Sequence, residues 1–157
     1  MVTQPSDLTP ADTSSYSRPA LAQTLRRYHA AVDEFVIPLD PSAEEVVGLD
    51  ERLRPYDLVI AATINAASYP GQAALVNAIL ARRQPLIAAA MRMPYDLLAY
   101  PSAPTYLCTY SILAPSLDAL ADALWGKAAC PGRLPVSISG LYPLGHGMNL
   151  AGTNSTS

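Results

Sequence analysis

Residues 56–64, with the sequence YDLVIAATI, constrain the fold more than any other part of the chain. The stretch opens with a polar pair and then runs apolar without alternation. A strand with one face in water alternates apolar and polar residues, so this unbroken run predicts a strand covered on both faces, as in a parallel sheet between helices. A buried helix segment is the alternative for so short a run. The β-branched Val59 and Ile60, and the loop-like residues 65–71 that follow, favour the strand.

The segments around this strand alternate between helical and strand patterns. Residues 86–90 form a second unbroken apolar run, and residues 72–83 before it carry an apolar stripe at helical spacing. The pattern predicts helices that begin near Pro19, Ser42, Gln72 and Ser116, a short helical turn at 97–98, and strands at 32–39, 56–64, 86–90 and 105–110. This order predicts an α/β fold, a three-layer αβα sandwich with a mostly parallel sheet and right-handed crossovers.

The two ends of the predicted sheet are irregular. Residues 133–139 resemble a short strand, and Pro135 within it predicts an edge strand near the C-terminus. The first helix has no evident strand before it, because only residues 1–5 precede a run of turn formers. A doubly wound sheet usually begins with a strand near the middle of the final order. We therefore expect either an unusual sheet or a truncated first strand.

Composition excludes several classes of protein. The 157 residues are 50% apolar and 15% charged, which suits one domain with a real core. The net charge of −3 gives no basic surface for nucleic acid. No run approaches the ~18 apolar residues of a membrane span, and residues 1–17 lack the core of a signal peptide. Cys108 and Cys130 are too few for a disulfide scaffold and indicate no oxidising compartment. Because residues 1–17 do not form a signal peptide and no membrane span is evident, we expect a cytoplasmic protein without a membrane partner.

No complete catalytic motif stands out in the sequence. The glycines do not fall in a dinucleotide or P-loop spacing, and there is no nucleophile elbow. His29 and His146 lie far apart without metal-type neighbours, so we expect neither a metal nor a cofactor. Glu44 and Glu45 lie at a predicted helix start, where acids are stabilised without any further role.

The loop after residues 86–90 holds the best candidates for contact with a substrate, which are Arg92, Tyr95 and Asp96. Open α/β sheets bind ligands beyond the carboxyl ends of their strands. Residues 65–69 occupy the equivalent position after the central strand. The alternative is an Arg92–Asp96 pair that ties down the loop, with Asp96 capping the next helical turn.

Residues 141–148 have a different character, because glycine and proline hold them extended. We expect this segment to lie against a neighbouring domain, with Tyr142 and His146 as interface residues. In an isolated chain the segment should fray. The glycosylation sequon at Asn154 lies in a polar tail and is interpreted as a chance match.

The closing residues carry a resemblance to a known family. Residues 132–147, GRLPVSISGLYPLGHG, resemble the end of the C-terminal α/β domain of family 3 glycoside hydrolases, and the ending GLYPLGHG is similar to the bacterial β-N-acetylhexosaminidase branch. Residues 56–60, 94–97 and 105–110 and the helix at 116–126 follow in that family's order. The resemblance covers residues 8–148.

The resemblance implies an accessory role. In that family a TIM-like barrel precedes this domain and carries the aspartate nucleophile, and in the hexosaminidase branch it also carries the acid/base histidine and aspartate. None of those motifs is present here. The chain would act on N-acetyl-β-hexosaminides, and contact carbohydrate, only together with such a barrel. Other branches supply an acid/base glutamate from this domain, but the glutamates here lie on early elements, at Glu34, Glu44, Glu45 and Glu51.

The implied organisation has three parts. Residues 1–17 form an N-terminal loop with the remnant of the first strand, residues 18–148 form the family 3 C-terminal-like domain, and residues 149–157 form a polar tail. A non-enzymatic docking module that pairs with a separate barrel chain is the main alternative. An independent α/β enzyme is less favoured, since its motifs are missing. A lost central strand leaves unpaired sheet edges, so we also expect self-association.

Overall fold

The computed structural model describes residues 1–3 and 18–153. The predicted N-terminal loop over residues 4–17 and the sequon at Asn154 lie outside these ranges. No helix within them is both long and apolar enough to cross a membrane.

The described residues form a five-stranded parallel sheet with helices on both faces. The strands are β1 (Val2–Thr3), β2 (Val36–Ile37), β3 (Val59–Thr63), β4 (Leu86–Ala90) and β5 (Tyr106–Cys108), in the spatial order β2-β1-β3-β4-β5. The helices are α1 (Leu21–Leu25), α2 (Ala43–Leu53), α3 (Pro70–Ala81), the 3-10 helix (Pro94–Ala99) and α4 (Ala114–Leu124). This arrangement confirms the predicted α/β sandwich.

Two hydrophobic clusters explain why the central strands are apolar throughout. Val59 and Ala61 of β3 pack in the cluster that contains residues of α2 and α3. Ala62, at the next position of the opposite face, packs in the cluster that contains residues of α1 and α4. Successive side chains of a strand point to opposite faces, so a strand between two helical layers needs apolar residues at every position.

Local sequence signals set the helix starts. The Ser42 hydroxyl accepts a hydrogen bond from the Glu45 amide, and the Glu45 carboxylate accepts one from the Ser42 amide. This capping box satisfies two amide groups that the helix itself leaves unpaired, which confirms the predicted start of α2. α3 and α4 each have a proline in the first turn, where its missing N–H costs nothing.

The first strand lies in the middle of the sheet. β1 pairs with β2 through Val2 and Thr3 and with β3 through Val2 opposite Ala62. It has two residues, whereas β3 and β4 have five each. The expected remnant of a first strand within residues 1–17 corresponds to β1, whose two residues are too few to show a period in the sequence.

The predicted edge strand at residues 133–139 was wrong. These residues do not join the sheet, and β5 is the outermost strand on that side among the described residues. The Leu134 amide donates to the His146 carbonyl and the Gly145 amide donates to the Leu134 carbonyl. Ile138 forms an isolated antiparallel bridge with Tyr142. The segment therefore pairs with the chain that follows it rather than with the sheet.

Candidate functional site

Asp96 is one of the predicted site residues, and its side chain points into the protein interior. It lies in the first turn of the 3-10 helix after β4 and is 0% exposed. Its carboxylate accepts hydrogen bonds from the Thr63 hydroxyl at 2.6 Å and from the Ala66 amide at 2.9 Å. Asp96 thus fastens the 3-10 helix to the loop that follows β3. It does not cap its own helix, so the capping alternative was wrong.

The Asp96 carboxylate extends into a short buried chain of hydrogen bonds. Thr63 has one hydroxyl proton, which it gives to Asp96, so the Tyr100 hydroxyl donates to Thr63 at 2.7 Å. Burial raises the pKa of Asp96 to about 6, and the two hydrogen bonds that the carboxylate accepts partly offset this rise. Burial also raises the pKa of Tyr100. The chain ties two neighbouring strand ends together and holds no group open to solvent.

Arg92 and Tyr95 are half-buried at the same edge of the sheet, one on each side of the start of the 3-10 helix. Their position beyond the carboxyl end of β4 is the position the sequence predicted. Of the three candidates at this edge, they are the two with side-chain surface left for a ligand. Their contact with a substrate stays a prediction.

Gln72 is a further buried polar residue that the sequence analysis missed. From the first turn of α3 its side-chain oxygen accepts from the Thr3 hydroxyl and the Ile64 amide, both at 2.9 Å. Its side-chain nitrogen donates to the Ile64 and Leu39 carbonyls, at 2.8 and 2.6 Å. Gln72 therefore joins the carboxyl ends of β1, β2 and β3. Its polar character near a helix start gave no sequence signal, because such residues are usually solvated.

Two residues at this edge have a left-handed backbone conformation. Asn65 follows β3 with φ 53°, and Tyr110 follows β5 with φ 57°. The Asn65 side-chain oxygen is buried and has no hydrogen-bond partner among the described residues. Backbone strain of this kind concentrates at functional sites, although asparagine tolerates this conformation better than most residues.

The interface candidates Tyr142 and His146 lie together on the surface. Their rings stack with centroids 4.2 Å apart and an angle of 21° between the planes. In the same segment Leu144 and Met148 are 65% and 72% exposed. Ile138 anchors this segment in the core, and hydrogen bonds to residues 134–138 hold it folded back. We call Leu141, Tyr142, Leu144, His146 and Met148 the tail surface.

The described residues show no cluster of three or more histidine, cysteine, aspartate or glutamate side chains that would hold a metal ion. Asp96 is also the one charged side chain that is fully buried among them. Hydrolysis of a glycosidic bond generally requires two carboxyl-type groups on opposite sides of the scissile bond. The described residues present no such buried pair.

Comparison with solved structures places this fold in a known context. The chain is 32% identical to a family 3 glycoside hydrolase, the β-N-acetylglucosaminidase from Paenibacillus sp. str. FPU-7, with a TM-score of 0.65 over 71% of this chain. The chain is a C-terminal domain related to glycoside hydrolase family 3. The structural match confirms the family resemblance that its closing residues carry.

A second solved structure shares the fold of this family 3-related domain. It is a fungal multi-domain family 3 β-N-acetylglucosaminidase described as having a GCN5-related glucosamine N-acetyltransferase region. It matches 96% of this chain with a TM-score of 0.72 and 24% identity. No family model and no curated protein matches the chain. The chain spans only 22% and 18% of the two solved structures, so in each the matched region is a small part of a larger protein.

Proposed function

We propose that the chain is the accessory C-terminal domain of a glycoside hydrolase that cleaves N-acetyl-β-hexosaminides. In this proposal residues 18–148 form the domain together with β1, and residues 149–157 form a polar tail. The observation that carries it is the 32% identity to a β-N-acetylglucosaminidase over 71% of this chain. The reaction takes place on a barrel domain, and this domain supports that barrel.

The chemistry of the described residues supports a domain that is inactive alone. Retaining hydrolysis needs a nucleophile and an acid/base group about 5 Å apart beside a sugar site. Asp96, the one fully buried acid among the described residues, already accepts two hydrogen bonds and faces the interior. Its role is to hold two strand ends together. Arg92 and Tyr95 remain candidates for contact with the mouth of the barrel.

Domain replacement tests this function. The matched region of the Paenibacillus enzyme is replaced by this chain, and hydrolysis of para-nitrophenyl N-acetyl-β-glucosaminide is measured. We expect kcat/KM within about tenfold of the parent enzyme, because the catalytic groups stay on the barrel. A folded chimera that has lost all activity contradicts the proposal. The matched control replaces the region with a glycine-serine linker and should be inactive or insoluble.

The tail surface favours a second candidate, a docking module that binds a separate barrel chain without chemistry of its own. Exposed apolar side chains that lie together mark interaction surfaces more often than isolated ones do. Here the exposed Leu144 and Met148 are close in sequence to Tyr142 and His146, whose rings stack. Adding the Paenibacillus enzyme without its matched region, as a separate chain, distinguishes the two. Stable association without covalent linkage supports docking, and no association at micromolar concentration contradicts it.

A further inference from the structure

The two outer strands of the sheet, β2 and β5 among the described residues, differ in the charges beside them. Asp33 and Glu34 precede β2 and Asp40 follows it. Charged side chains beside an outer strand oppose its pairing with another chain. By contrast, β5 lies within residues 97–117, which include no charged residue. Charge therefore protects β2 against further pairing and does not protect β5.

The sheet register shows which backbone groups of β5 face outward. The Thr109 amide donates to the Ala90 carbonyl, and Cys108 is the residue aligned with Ala90. The N–H and C=O of one strand residue point to the same side, and successive residues alternate between sides. Thr109 therefore faces β4, whereas Cys108 and Tyr106 turn their amides and carbonyls away from it. These outward groups form no hydrogen bond with the backbone of another described residue.

The outward groups of β5 are complementary to those of a second copy of β5. In an antiparallel pair centred on Leu107, Tyr106 of each copy lies opposite Cys108 of the other. Each of these two pairs exchanges two hydrogen bonds, so the pair satisfies every outward amide and carbonyl of Tyr106 and Cys108. Leu107 meets its own counterpart at the twofold axis, at a position where opposite residues lie closest.

The residues on either side of β5 fit the same register. Tyr110 is 44% exposed, and in the pair it lies opposite Pro104 of the other copy, which is also exposed. Thr105 lies opposite Thr109, and threonine pairs across antiparallel strands are favourable. Pro104 has no N–H and Tyr110 has a left-handed backbone with φ 57°, so the pairing ends at these residues. The contact is therefore short and uncharged.

We propose that β5 is a self-association surface, through which two copies of this chain form a symmetric dimer with one continuous sheet. Recognition is by strand addition, with main-chain hydrogen bonds between the two copies. The outer strands of the joined sheet are the two β2 strands, and the acids beside them stop the assembly at two copies. Because the pair is short, the dimer is reversible. The inference uses β5 alone and does not depend on the proposed function.

Sedimentation equilibrium of the full chain tests the dimer. From about 5 to about 500 µM we expect the average mass to rise from one chain toward two, as for a small interface. Pro104→Lys with Tyr110→Lys places lysines opposite each other and should weaken dimerisation at least about tenfold, although it brings the net charge from −3 nearer zero. The matched control, Pro104→Glu with Tyr110→Lys, places opposite charges there and should dimerise at least as tightly as the original chain. Equal dimerisation of the two variants, or no dimer of the original chain, overturns the proposal.

Hydrogen exchange in the unchanged chain is a second readout, which holds even if a variant fails to fold. We expect the outward Cys108 amide to exchange at least about threefold more slowly at the higher concentration. The Val36 amide is the control, because Val36 is 56% exposed on β2, and its exchange should not depend on concentration. Protection of Val36 without Cys108 identifies β2 as the contact and overturns the proposal. Equally slow exchange of Cys108 at both concentrations shows that the chain itself covers β5, which also overturns it.

Discussion

The two edges of the sheet differ in what fills them. At the carboxyl edge, side chains of the protein itself satisfy the strand ends, with Gln72 joining three strands and Asp96 joining a loop to the 3-10 helix. At the amino edge, the buried Met1 amine donates to the Ile60 carbonyl, and a cavity of about 460 Å³ lies beside it. The carboxyl edge is where an open α/β sheet usually binds its ligand. In this domain the protein's own side chains close that edge, and the cavity lies at the other one.

The largest effect we predict is at Gln72. The substitution Gln72→Ala removes four hydrogen bonds at once and leaves the buried Ile64 amide and carbonyl, and the half-buried Leu39 carbonyl, without these partners. We expect a loss of about 3–5 kcal/mol in the free energy of unfolding, measured by urea denaturation. The control Asn77→Ala lies on the same helix and removes one exposed hydrogen bond, so it should cost less than about 1 kcal/mol. If both variants lose the same free energy of unfolding, Gln72 does not have the structural role that we assign to it at the carboxyl edge.

The two edges should also give opposite dependences of stability on pH. The Asp96 pKa is raised from 3.8 to about 6, so between these pH values the folded state binds the extra proton and stability falls as pH rises. The Met1 amine pKa is lowered from 8.0 to about 6, so the unfolded state binds the extra proton there and stability rises from pH 6 to 8. Each shift corresponds to about 3 kcal/mol.

Urea denaturation across pH 4 to 8 tests this pair. In Asp96→Asn, the free energy of unfolding should no longer fall as the pH rises from 4 to 6. It should still rise between pH 6 and 8. Acetylation of the Met1 amine should have the opposite effect. The free energy of unfolding should still fall between pH 4 and 6, but it should no longer rise between pH 6 and 8. If Asp96→Asn leaves the slope between pH 4 and 6 unchanged, the buried carboxylate is not the group that titrates there.

A smaller effect distinguishes two glycines. A Cβ on Gly71, in the first turn of α3, would lie 2.0 Å from the Pro41 carbonyl oxygen, whereas a Cβ on Gly48 in α2 meets nothing within 4 Å. We expect Gly71→Ala to lower the free energy of unfolding by about 2 kcal/mol, because the close approach of α3 to Pro41 must open. Gly48→Ala should raise it by about 0.5–1 kcal/mol. Thermal unfolding of the two variants would contradict this contrast if both shift Tm in the same direction.

The smallest effect on stability is expected at the tail surface. The double substitution Leu144→Ser and Met148→Ser changes side chains that are 65% and 72% exposed, so the free energy of unfolding should change by less than about 0.5 kcal/mol. Association with the barrel chain, measured by analytical ultracentrifugation, should weaken if this surface docks. Unchanged association would contradict docking through the tail surface.

The central sheet could be predicted from the sequence because its signal is local. Residues 86–90 form β4 with the predicted bounds, and the apolar run at 56–64 contains β3, since both strands lie between two helical layers. A remnant of a first strand was expected within residues 1–17, but the two residues of β1 show no period that would fix its bounds. Residues 133–139 look like a strand, but Leu134 and Ile138 use their amides to pair with the chain that follows them. A local pattern cannot tell which partner a short segment pairs with.

The candidate site was predictable in position but not in role. The sequence analysis correctly placed Asp96 beyond the end of β4. It also grouped Asp96 with residues expected to contact a substrate, whereas its side chain is fully buried. Its burial depends on Thr63 and Ala66, which precede it by about 30 residues. Gln72 was missed for the same reason, because its partners lie on three separate strands. Long-range contacts of this kind leave no trace in local spacing.

Hydrolysis of para-nitrophenyl N-acetyl-β-glucosaminide by the purified chain alone is the most direct test of the accessory role that we propose for this domain. We predict no release of para-nitrophenol above the buffer rate, at any pH from 4 to 8, because the described residues place no pair of carboxyl groups around a sugar site. Turnover that is abolished by Asp96→Asn in a variant that still folds would contradict the account, since it would make this domain a catalyst in its own right.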